Sequence, residues 1–143
     1  MTIHQLSVFV ENKIGRLAEI TEVIGSAGVD IRALSVADTT DFGILRVIVN
    51  RPKAAYEALK AAGMAVSLTE VIAISIADQP GAFAKEMRLL AENGIGVEYM
   101  YAFITREEGN AYVILRVSDN ARAINVIRQN GFTVLPPDKV YDL

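Results

Sequence analysis

Apolar and polar residues alternate near the start of the chain. Leu6, Val8 and Val10 fall on one side and Ser7, Phe9 and Glu11 on the other, the period of a strand with one buried face. The period then lengthens: Leu17, Ile20, Ile24 and Ala27 recur at helical spacing and make one stripe. Gly28 follows, the residue type that ends a helix in the left-handed conformation. Apolar runs over Val29–Ala37 and Ile44–Asn50 read as two strands joined by the turn TTDFG. A second helix over Lys53–Ala62 is closed by Gly63, and a fourth strand covers Ala65–Leu68.

The same order then returns. Ile72, Ile74 and Ile76 alternate, Phe83, Met87 and Leu90 make a helical stripe, and Gly94 ends it. Strands over Ile95–Ile104 and Ala111–Ser118 flank the turn REEGN, whose charged stretch Arg106-Glu107-Glu108 reads as a solvated tip. A helix over Asn120–Asn130 stops at Gly131, and a strand over Phe132–Leu135 runs into Pro136-Pro137. Gly15 and Gly81, Gly28 and Gly94, and Gly43 and Gly109 are each 66 residues apart, whereas Gly63 and Gly131 are separated by 68. Glycines in register mark an internal repeat, and the change of offset predicts a two-residue insertion between the third strand and the second helix. Each copy reads βαββαβ. The expected fold class is α+β: two ferredoxin-like units in tandem, over residues 1–69 and 70–143, each an antiparallel sheet with its helices on one face.

Composition removes several chemistries. The chain of 143 residues is 52% apolar and carries 14 basic against 17 acidic side chains, a net charge of −3. That is enough apolar matter for a core, and the wrong sign for nucleic acid or an anionic membrane. With no cysteine there is no thiolate nucleophile, no disulfide and no cysteine-bound metal; with only His4, no histidine pair. The N-terminus does not read as a signal peptide, and the apolar run Val71–Ala77 is too short to span a bilayer. A cytoplasmic, non-catalytic protein without metal or cofactor is the expectation. Within the fold class, metal-chaperone chemistry lacks its cysteines. RNA recognition would place Tyr99, Tyr101 and Phe103 on the wrong strand in an acidic protein, and the single glycine beside Arg16 makes a poor phosphate cradle.

The informative segment is the loop between first strand and first helix, present twice: Asn12-Lys13-Ile14-Gly15-Arg16-Leu17 and Asp78-Gln79-Pro80-Gly81-Ala82-Phe83. Gly28-Val29-Asp30-Ile31 and Gly94-Ile95-Gly96-Val97 follow at the second strands. With these motifs the chain resembles the ACT-domain family over its whole length, as a tandem pair. Ile14 stands where the family pattern has proline, and Gly96 where it has a polar residue.

The resemblance implies a free amino acid as effector, bound where paired ACT-like domains meet. The glycine turn of one domain would combine with the second strand of another, at Ser35 and Val36 or at Met100, Tyr101 and Ala102. It further implies a homodimer and a separate metabolic enzyme or transporter as partner. The chemistry of the turn agrees: a helix N-terminus suits a carboxylate, glycine lets a ligand approach the backbone, and Asn12, Asp78 or Asp30 can accept from an ammonium. The first turn keeps both polar positions, so its site is expected to favour a zwitterion more than the second. The plainer structural reading makes Asn12 and Asp78 helix caps, Leu17 and Phe83 core residues, Tyr101 a packing residue and Arg16 a solvated side chain. A protein–protein assembly module without a ligand is the alternative function.

Overall fold

Leu6, Val8 and Val10 are buried, as their alternation requires, and lie on β1 (Ile3–Glu11). The computed structural model describes residues 1–38, 41–104 and 107–143. After β1 come α1 (Arg16–Ser26), β2 (Ile31–Asp38), β3 (Phe42–Val49), α2 (Pro52–Ala61) and β4 (Val66–Ala77). The second copy continues with α3 (Ala82–Glu92), β5 (Val97–Ala102), β6 (Asn110–Val117), α4 (Asn120–Gln129), β7 (Thr133–Val134) and α5 (Pro137–Tyr141). Residues 39–40 of the first predicted hairpin turn, and Arg106 of the predicted charged tip, lie outside the described residues.

Two compact units result. The first comprises His4–Thr69 with Tyr141–Leu143, the second Glu70–Val140 with Met1–Ile3. In the first, the strands lie in the order β2-β3-β1-β4, with β3 antiparallel to both its neighbours. In the second, the order is β7-β4-β6-β5, again antiparallel. Each is the ferredoxin-like order, with the first and third strands at the centre. The centre of the first core is Leu6, Val8, Ile20, Ile24, Leu45, Val47 and Leu59; that of the second is Ile72, Ile74, Leu90, Val113, Leu115 and Ile127. The fourth strand of the first copy and the first strand of the second are one element, since β4 runs unbroken for 12 residues.

Strand register moves the predicted insertion. Leu6 faces Val47 in the first sheet and Ile72 faces Leu115 in the second, so β6 already carries the offset of 68. On β5 the offset is still 66, because Leu34 faces Val47 and Met100 faces Leu115. The two extra residues therefore sit in the hairpin before β6, not between the third strand and the second helix. Gly43 and Gly109 are accordingly not equivalent. Gly43 lies in β3, where a Cβ would come 3.1 Å from the Ala37 carbonyl oxygen, whereas Gly109 sits in the turn at φ +81°. The other predicted pairs hold: Gly28 and Gly94 at φ +69° and +68°, Gly63 and Gly131 at +79° and +82°. Pro137 does more than end a strand. It opens the short helix α5, as its fixed φ and missing N–H favour at a first helical position.

Candidate functional site

The two turns have one geometry. The Arg16 amide donates to the Lys13 carbonyl at 3.2 Å and the Ala82 amide to that of Gln79 at 3.2 Å. Gly15 and Gly81 have the same conformation, φ 84° and ψ −10°. These are type II turns with the obligatory positive φ at the third position. Pro80 holds the second position of its turn, as proline favours, and Ile14 occupies the same place, fully exposed. Each turn is tied to the neighbouring hairpin: the Asn12 amide donates to the Asp41 carbonyl at 3.2 Å and the Asp78 amide to that of Gly109 at 3.0 Å. In that second hairpin the Tyr112 phenol donates to the Glu107 carboxylate, and this bond pushes the phenol up to about 12.

The N-cap residue of α1 is Gly15 and that of α3 is Gly81, and no side chain caps either helix. The capping roles predicted for Asn12 and Asp78 are thereby corrected, since each lies three residues before its helix-opening glycine. Beyond the Arg16 and Ala82 amides, which the turns already use, the next amides of each helix, at Leu17 and Ala18 and at Phe83 and Ala84, have no intrahelical acceptors and are left as donors. Leu17 is 41% exposed and stands outside the first core, which corrects its reading as a core residue; Ala82 and Phe83 are partly buried and pack against the second. Arg16 pairs with Glu19 at 2.9 Å.

The remaining predicted residues lie farther off within their own units. Asp38, at the end of β2, is level with Gly43 and Val10. Asp30 precedes it by eight residues, about 26 Å of strand, and there it pairs with Arg32 at 2.5 Å. The structure does not bring Asp30 to the Gly15 turn of its own unit. Ser35 and exposed Val36 are level with Ser7 and Val8, two strands from the first turn. Met100, Tyr101 and Ala102 are level with Ile72, Ala73 and Ile74. Tyr101 is buried, as packing predicts, while Met100 and Ala102 are exposed. Gln79 is exposed on the second turn.

One residue escaped the sequence reading. Glu86 on α3 is 1% exposed, and neither carboxylate oxygen has a hydrogen-bond partner among the described residues. Burial alone raises its pKa from 4.5 to about 7. It lines a cavity of about 320 Å³ between the second turn, the end of β4 and the Gly131–Thr133 segment, together with Gln79, Lys85, Asn110 and Thr133. The signal was the repeat offset: 66 residues earlier stands Ile20, fully buried in the first core. The predicted stripe Phe83, Met87 and Leu90 passed over the charged residue between them.

A tandem pair of ferredoxin-like units, each opening its first helix with a glycine turn and no side-chain cap, defines a class of small paired domains. The chain belongs to the ACT domain pair family, whose model matches residues 1–142. Its structure is similar to that of protein BT0572 from Bacteroides thetaiotaomicron, with 40% identity, a TM-score of 0.94, and coverage of 100% of this chain and 98% of that one. It shares the fold of the ligand-free regulatory subunit of aspartate kinase from Thermus thermophilus, at 18% identity and a TM-score of 0.65, over 88% of this chain and 90% of that one. Aspartate kinase from Synechocystis contains the same fold, at 22% identity and a TM-score of 0.59, over 95% of this chain and 28% of that one. No curated protein sequence matches the chain. Among the described residues, no helix is long and apolar enough to cross a membrane.

Proposed function

We propose that this protein is a non-catalytic regulator that binds a free amino acid and acts in the cytoplasm on a separate metabolic enzyme or transporter. The observation that carries the reading is the duplicated, uncapped glycine turn. The effector carboxylate takes the free amides at the start of α1 or α3, and the Asn12 or Asp78 side chain accepts from its ammonium. Edge strands supply the rest. Among the described residues β2 pairs only with β3 and β5 only with β6, so each offers an open edge to a second copy of the chain. A homodimer completes the site with Ser35 and Val36, or with Met100, Tyr101 and Ala102; Asp30 enters a site other than the one at the Gly15 turn of its own unit. The site at Asn12 is the better one for a zwitterion.

A thermal-melt screen of refolded, ligand-free protein against the twenty amino acids tests this. At about a hundred times its dissociation constant an effector adds about 2.7 kcal/mol, a rise of several degrees for a chain of this length. One amino acid, or a chemically related group, is expected to shift the midpoint, with the shift reduced by Asn12→Ala.

The second reading, assembly without a ligand, draws on a different observation. Phe9, Phe42 and Ile44 are all exposed, with the two rings 4.9 Å apart at their centres. No shift with any amino acid, in folded protein, favours it.

A further inference from the structure

We infer that the Glu86 cavity of the second unit is a binding site for a small primary ammonium group, with the Glu86 carboxylate as its acceptor. The inference rests on the amino-acid-binding reading and gives it a named group. A core position that is aliphatic in one copy and carboxylic in the other has exchanged packing for polarity. A buried carboxylate without partners costs several kcal/mol, and a structural role would supply it with an internal donor. Glu86 has none, yet it borders an open volume of about 320 Å³, room for a compact amine or amino acid.

The lining selects the ligand. Hard divalent cations need several oxygen ligands, commonly two or more carboxylates, and no group of three acidic or histidine side chains converges anywhere among the described residues. One carboxylate with amide and hydroxyl oxygens from Gln79, Asn110 and Thr133 matches the three N–H donors of an ammonium instead. Lys85, on the same wall, gives a carboxylate at the other end of the ligand its counter-charge. The second turn thus acquires an ammonium acceptor from α3.

Titration of the full chain with methylammonium chloride, followed by amide chemical shifts against sodium chloride at equal ionic strength, reads the ammonium subsite alone. Wild-type protein is expected to show saturable shifts around residues 75–86 and 131–133. They should weaken about tenfold in Glu86→Gln, the loss of about one charge-assisted bond, and vanish in Glu86→Ile, which matches the first copy and packs as core. Saturable shifts that persist in both variants, or their absence from the wild type, overturn the proposal. The amino-acid screen separates the two readings. Amino-acid binding with no methylammonium shifts removes the cavity and leaves the regulator standing, whereas methylammonium binding with no amino-acid binding does the reverse.

Discussion

Gly15 and Gly81 occupy a backbone region that L side chains enter at a cost of about 1–2 kcal/mol. An added Cβ would meet nothing within 4 Å at either glycine, so the cost is conformational and not steric. Gly15→Ala and Gly81→Ala should therefore each lose about 1–2 kcal/mol in urea unfolding. Ile14→Pro should gain about 0.4–1 kcal/mol, because Pro80 already holds the equivalent place in an identical turn. Glu86 makes stability depend on pH in an unusual direction. Its native pKa of about 7 stands above the ordinary 4.5, so between those values the folded chain keeps a proton that the unfolded chain gives up. Stability is full below about pH 4.5, falls as pH rises through the window and levels off above pH 7, by on the order of 3 kcal/mol. Guanidinium unfolding at pH 5 and pH 8 should show that fall in wild-type protein and not in Glu86→Gln. The turns were legible because glycine and proline spell out their geometry. Glu86 was not, because a charged residue inside an apolar stripe reads as solvent-facing until it is laid against Ile20.

At the level of elements, the two second helices begin differently. Asp119 accepts from the Arg122 amide at 3.1 Å at the start of α4, whereas α2 begins at Pro52 with Arg51 before it and no side-chain cap. Asp119→Ala should cost about 1 kcal/mol, read as a lowered midpoint in thermal unfolding, whereas Arg51→Ala removes no side-chain cap. Alternation located the strands well, and the glycines located the helix ends. What alternation does not encode is where pairing stops. β7 is two residues long although the apolar run Phe132–Leu135 is four, and β4 joins two strands that the sequence shows only as close neighbours without a linker. Register likewise needed partners: only the facing of Ile72 with Leu115 shows on which side of β6 the inserted residues lie.

Over the whole molecule the repeat sets the fold, but the boundary between 69 and 70 does not describe how each unit is closed. The His4 amide donates to the Tyr141 hydroxyl at 3.0 Å, and Arg32 reaches the Tyr141 carbonyl at 3.2 Å, both within the first unit. In the second unit, the Thr2 hydroxyl lies 3.3 Å from the Glu70 carboxylate. These partners are 68 to 137 residues apart, so neither composition nor periodicity carries a sign of them. Tyr141→Phe should speed hydrogen exchange at the His4 amide while leaving the amides of β6 unchanged, at a cost of about 0.5–1.5 kcal/mol. Three residues from each end of the chain thus belong to the unit encoded farther away. For inheritance this makes the duplicated gene segment indivisible: a recombination event that carried off residues 1–69 or 70–143 alone would deliver a fold already missing part of itself.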